Sequence, residues 1–186
     1  ASQGTMLLSS VQAGQEIPLL PDQMLVPLLP AQHALPTSKT AEQRGLFLVA
    51  AVPILSADNE VVGALFAGQL LNNNEQLADR LIRLIAPQQQ DATLRETATI
   101  FLDDVRIATT VTNERGQRAT GTRLSAEVAQ RVLKQGERWI APAFVLHERY
   151  FAAYEPLSDP DGAVVGALYV GLPERPYLSL RNNLNL

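Results

Sequence analysis

The chain has 186 residues, of which 46% are hydrophobic and 18% charged, with a formal net charge of −4. That length and apolar content suffice to bury a core as one large domain or two small ones, whereas the negative balance offers no field to draw in nucleic acid or anionic lipid. With no cysteine, thiol catalysis, disulfide frameworks and Cys-based zinc sites are excluded.

The first forty or so residues are rich in Pro, Gln and Leu. Pro18, Pro21, Pro27, Pro30 and Pro36 each remove a backbone donor and disfavour helix just before them. Short helical turns and loops are expected, with Asp22 as an N-cap and a strand over residues 5–11. No apolar run reaches the roughly 18 residues needed to cross a bilayer, and no export signal is visible. Membrane or export segments of a parent protein are therefore expected outside these residues.

From Gly45 the pattern changes. "GLFLVAAVPIL" and "VVGALFAGQLL" are apolar runs around the turn-forming "SADNE", which predicts a hairpin covered on both faces. In "LNNNEQLADRLIRLIA" the spacing puts Leu77, Leu81, Ile82, Leu84 and Ile85 on one helical stripe, with an Asn as cap and Pro87 as terminator. "PQQQDATLRET" is a polar connector. "ATIFLDDVRIATTV" predicts a second hairpin turning at Asp103–Asp104, where Asp tolerates left-handed backbone.

"LSAEVAQRVLKQG" predicts a helix capped by Ser125 and stopped by Gly136. Three strands follow, "RWIAPAFVL", "RYFAAYEPL" and "AVVGALYVGL", the last two joined by the turn "SDPDG". These connections are too short for parallel crossovers. The expected fold is α/β in the α+β sense: antiparallel, PAS-like sheet modules flanked by helices. There are two in tandem, since "PILSADNEVVGALFAG" at residues 53–68 returns in register 103 positions later as "PLSDPDGAVVGALYVG". The first module is expected to be incomplete at its start.

"TIFLDDVRIATTV", "GQRATGTRLSAEV", "VLKQGERW", "AFVLHERYFAAYEPL" and "GAVVGALYVGLPE" resemble successive blocks of the extracytoplasmic Cache sensor domains of bacterial transmembrane receptors. The stretch "RGLFLVAAVPILSADNEVVGALFAGQLLNNNEQLADRL" is similar to the membrane-distal half of the fused, double-module form. The resemblance spans residues 44–174. It implies a periplasmic or extracellular sensor in a receptor with histidine kinase or methyl-accepting chemotaxis output, binding a small carboxylate or amino acid between sheet and covering loops. It further implies a membrane-anchored parent protein and a homodimeric receptor. The family's long N-terminal helix is not evident, so a shortened start is expected. The expected division is a partial distal module over 1–71, a helix and linker over 72–91, a proximal module over 92–176 and a tail over 177–186 leading to a membrane helix.

No set of nucleophile, base and orienting group is found. The only imidazoles are His33 in a Pro-rich loop and His147 in a turn, neither in a nucleophile context. The domain is not expected to be an enzyme or to hold a metal or cofactor. In "YFAAYEP" the two-residue period puts Tyr150, Ala152 and Tyr154 on one face and Phe151, Ala153 and Glu155 on the other. The phenols either greet a ligand or pack in the core. Arg118 and Arg123 precede the Ser125 helix, where a guanidinium fork and free amides suit a carboxylate; a solvated charge is the alternative. Trp139 and Phe144 would wall the pocket. Arg44 is a weaker distal counterpart, and Arg106, alternating with Val105 and Ile107, is expected to face away from the apolar side. A ligand-free structural or interaction module is the competing reading.

Overall fold

The N-terminal hairpin forms where its turn chemistry puts it, and a third strand joins its outer edge. In the computed structural model, which describes residues 2–8, 20–85, 96–146 and 148–174, β1 (Ser2–Leu8) pairs antiparallel with β4 (Gly45–Leu55), which pairs with β5 (Val61–Leu70). Asn59 takes a positive φ in the turn, and the Ser56 hydroxyl accepts from the amides of Asp58 and Glu60. β1 lies three residues earlier than the strand expected over 5–11, whose last residues fall outside those described. Two short strands, β2 (Val26–Pro27) and β3 (Ala41–Glu42), form a separate pair.

The hairpin is not covered on both faces. Only Gly45, Leu46 and Phe47 at the start of β4 are buried, while Val61, Val62 and Leu65 are 70%, 65% and 64% exposed. An uninterrupted apolar run permits burial on both sides but does not specify what would cover it. Asp22 also departs from expectation: helix α1 (Leu20–Met24) starts before it, so Asp22 sits in the first turn rather than at the cap.

The three consecutive asparagines have three separate jobs. Asn72 is buried, and its side chain accepts from the Leu46 amide at 2.9 Å while donating to the carbonyls of Met24 at 2.7 Å and Arg44 at 3.0 Å. Asn73 has φ 56° and donates to the carbonyls of Gln23 and Leu25. Asn74 is the predicted cap: its Oδ1 accepts from the Leu77 amide at the start of α2 (Glu75–Ile85). Leu77 and Leu81 pack inward, but Leu84 is 78% exposed, so the buried stripe is narrower than predicted. Pro87 and most of the linker lie outside the described residues.

The second sheet has five antiparallel strands: β6 (Thr97–Leu102), β7 (Val105–Thr109), β8 (Trp139–Val145), β9 (Glu148–Ser158) and β10 (Val164–Pro173), in the order β7-β6-β10-β9-β8. Asp103 turns the β6–β7 hairpin with φ 52°, as its type allows. Between β7 and β8 the chain runs through a loop into α3 (Ala126–Val128), capped by Ser125, and a π-helical turn (Ala129–Lys134) that ends before Gly136 at φ 69°. This is the predicted α+β, PAS-like arrangement.

Each face of this sheet has its own core. Ile100, Leu102, Val105 and Ile107 pack against Val26, Leu46, Leu71 and α2, joining the N-terminal elements to the sheet. On the opposite face Phe101, Tyr154, Tyr169 and Trp139 pack under α3, the π-helical turn and the loop before them. That second face holds the candidate site.

Candidate functional site

The period-two reading of β9 holds. Ala152 and Tyr154 are buried and Tyr150 half-buried on the loop-covered face, while Phe151 and Glu155 are exposed on the other. The register sets Tyr154 beside Trp139 of β8 and Tyr169 of β10. The Tyr154 and Tyr169 rings lie 4.8 Å apart, and Phe101 lies 6.2 Å from Tyr154. The Tyr169 hydroxyl lies 3.1 Å from the Thr97 hydroxyl. Tyr169 was missed in the sequence reading, although the internal repeat sets it against Phe66 and so marks a hydroxyl gained only in the second copy.

Small residues separate these rings: Ala143, Ala152, Ala167 and Gly171 are all buried on the same side. A Cβ at Gly171 would collide with the Tyr169 phenol, so glycine there lets that ring lie flat on the sheet. Burial pushes the Tyr154 phenol up to about 12 and the Tyr169 phenol higher still. The Tyr150 phenol is raised by burial first and then by the charge of Glu148. At neutral pH all three are O–H donors. Among the described residues neither Tyr150 nor Tyr154 has a hydrogen-bond partner for its hydroxyl.

Arg106 overturns the expectation that it faces away. The alternation with Val105 and Ile107 is real, but at β7 both faces of the sheet are interior, so the side opposite them is buried too. Arg106 is 3% exposed. Its Nη1 donates to the Thr99 hydroxyl at 2.7 Å, its Nε to the Thr122 hydroxyl at 3.0 Å, and its guanidinium lies 4.9 Å from the Phe101 ring centre. Burial lowers its pKa from the ordinary arginine value. Among the described residues it makes no ion pair.

The two arginines singled out from the sequence are held elsewhere. Arg118 donates from Nη2 to both carboxylate oxygens of Asp79 of α2 at 2.9 and 3.0 Å, from Nη1 to the Thr109 carbonyl at 2.6 Å, and pairs with Glu75, so it braces the loop against the helix. Arg123 binds Asp104 at 2.6 Å and the Leu35 carbonyl at 2.6 Å. The start of α3 is also occupied: Ser125 accepts from the Val128 amide and the His33 carbonyl from the Ala126 amide. Arg44 forks onto Glu42.

Arg123 nevertheless lines a cleft of about 360 Å³ with His33, Asn113, Thr122, Phe144 and Leu146. Phe144 forms its wall, stacked on His33 at 4.7 Å and 45% exposed. Trp139 is buried, and its indole N–H donates to the Ala141 carbonyl. Thr122 links the cleft to the interior, since its hydroxyl is also the partner of Arg106. His147 lies outside the described residues. A larger hollow of about 480 Å³ on the opposite face is walled by Ile82, Ile85, Ile140 and Phe151 and is almost wholly apolar.

The loop-covered face thus combines a buried cation, phenol and threonine hydroxyls, small residues packed among the rings, and a cleft at its edge that reaches the surface. Such groups suit an acceptor-rich solute; among the described residues they include no nucleophile paired with a base. A family model described as Single cache domain 3 matches residues 69–184, a stretch that contains α2 and the five-stranded sheet and begins at the end of β5. Among solved structures the chain is similar to the crystal structure of the periplasmic domain of Vibrio cholerae LuxQ, at 12% identity and a TM-score of 0.41. That likeness covers 89% of this chain and 60% of the LuxQ chain. Comparison with curated proteins finds no match.

Proposed function

The chain belongs to the single Cache domain 3 family, and on that premise we propose that it is the extracytoplasmic sensor of a bacterial transmembrane receptor. It binds a small solute, a carboxylate such as acetate, on the loop-covered face of the five-stranded sheet. The observation that carries this reading is the pair of phenols, Tyr150 and Tyr154, whose hydroxyls lie on a buried face without a partner among the described residues. A phenol O–H that is spent on no protein acceptor is free to donate to a bound solute.

The site of this proposal keeps Trp139, Phe144, Tyr150 and Tyr154 as walls and Arg123 at the mouth, while Arg118 acts as a brace. The parent receptor would be a homodimer that signals through a histidine kinase or a chemoreceptor output, and residues 1–71 would be the remainder of a distal module. Ligand contacts would favour one arrangement of sheet and loops, and β10 would carry that bias onward.

Small carboxylates should raise the melting temperature by mass action, and Tyr154→Phe should reduce the rise without abolishing folding. The contact between the Tyr154 and Tyr169 rings favours a second reading, a ligand-free module whose tyrosines only fill the core. No shift across a broad library of acids, amino acids and neutral solutes would support that second reading and remove the first.

A further inference from the structure

β5 is an edge strand with the make-up of a central one. Its ten residues include no charge and no proline, the devices that ordinarily blunt an open edge. Its sequence is also the earlier copy of β10, and the two hairpins agree residue for residue. Ala64 faces Pro53 and Gly63 faces Ile54, as Ala167 faces Pro156 and Gly166 faces Leu157. A register shift interrupts both at the same step, beyond which Val61 faces Leu55 and Val164 faces Ser158. On its other edge β10 takes β6 antiparallel, whereas among the described residues β5 pairs with β4 alone. The edge that β5 leaves open is therefore the one that its copy fills with an antiparallel strand.

The surface around that edge has the size and chemistry of an interface. The exposed apolar side chains of β4 and β5, Val61, Val62, Leu65 and Phe66 foremost, present an area on the order of 800 Å², what one partner contributes to a standard interface and more than monomers usually leave in one patch. β4 is uncharged as well. The nearest carboxylates, Asp58 and Glu60, lie in the turn at one end of the hairpin.

We infer that the open edge of β5 is filled by the β5 of a second copy of this chain, the two strands pairing antiparallel about a two-fold axis so that the three-stranded sheets join into one of six. The free N–H and C=O groups of each edge then satisfy the other, and Val62, Leu65 and Phe66 of one copy lie beside those of its partner, the cross-strand contacts that stabilise a sheet. Antiparallel pairing also suits a chain of net charge −4, since it sends the two acidic turns to opposite ends of the joint, roughly 30 Å apart with all ten residues paired. The contact uses the same edge on both copies, so it closes at a dimer rather than building a fibre.

The test is sedimentation velocity of the whole chain over a range of concentrations, for the wild type, Leu65→Lys, Val62→Lys and, as a control at another exposed apolar side chain, Leu84→Lys of α2. Circular dichroism checks that each variant is folded, and Val62→Lys keeps the test open should Leu65→Lys fail to fold. The wild type should pass from monomer to dimer as concentration rises. Each β5 lysine, which sets like charges near each other across the joint, should weaken the dimer by about tenfold or more, and Leu84→Lys should leave it unchanged. Amide hydrogen exchange should slow in β5 when the wild type dimerises and not in Leu65→Lys at the same concentration. A wild type that stays monomeric throughout would overturn the inference. So would a dimer that survives both β5 substitutions, one that Leu84→Lys weakens equally, or assembly that continues past two copies. Solute binding on the five-stranded sheet is read separately, by the ligand-induced rise in melting temperature, and stands or falls on its own.

Discussion

Glu42 is 3% exposed and accepts from the Arg44 side chain at 2.8 and 2.7 Å and from the Arg44 amide at 2.9 Å. Burial alone would push its carboxyl up, but the hydrogen bonds and charge of Arg44, helped by Lys39, outweigh burial and hold it below the ordinary glutamate value of 4.5. A carboxyl depressed in the folded state contributes stability above its unfolded pKa, and that contribution is lost as the pH falls through the folded value. Thermal melts between pH 6 and 3 should show the wild type losing stability below about pH 4.5 more steeply than Glu42→Gln; parallel curves would contradict the assignment. Arg44, weighed from sequence as a distal ligand contact, is thus engaged in this pair. Arg106 shows the converse: alternation correctly set it opposite Val105 and Ile107, yet alternation gives a side without saying whether that side is wet. Only the packing of α3 and its loop over the second face makes it interior.

The two copies of the repeated segment show what a strand's sequence leaves open at the scale of an element. β10 has β6 on one edge, β9 on the other, and a core on each face, whereas β5 has only β4 beside it in its sheet and is largely exposed. Gly63 and Gly166 occupy the same place in the repeat. A Cβ at Gly166 would run into the Phe101 carbonyl of β6, a backbone group that cannot yield, while at Gly63 the nearest atom is Ile54 Cδ1 at 3.7 Å. Gly166→Ala should therefore lose roughly 3 kcal/mol or more in urea unfolding, and Gly63→Ala should change by about 0.5 kcal/mol or less. Similar effects at the two sites would contradict the sheet order. Turns and caps were legible because their chemistry is local: Asp103, Asn74, Ser125 and Gly136 all sit where their residue types predict. Coverage was not, since the exposure of Val61, Val62 and Leu65 depends on which elements approach from elsewhere in the chain.

Across the whole molecule, Asn72 and the core of Val26, Leu46 and Leu71 join the first hairpin to one face of the five-stranded sheet, leaving the other face to the loop, α3 and the π-helical turn. Among the described residues no helix is long and apolar enough to cross a membrane. The candidate site was half legible: the aromatic wall follows from period two in β9, but the cation does not follow from the loop arginines, because Asp79 and Asp104 lie too far along the sequence for those ion pairs to be foreseen. The central claim of the proposed function is that a small acid binds on the loop-covered face beside Tyr150 and Tyr154. The most direct measurement is a crystal structure of the domain grown in saturating acetate. It should show a carboxylate within hydrogen-bonding distance of the Tyr150 or Tyr154 hydroxyl. Protein side chains filling that space, or acetate bound only outside the loop-covered face, would contradict the account.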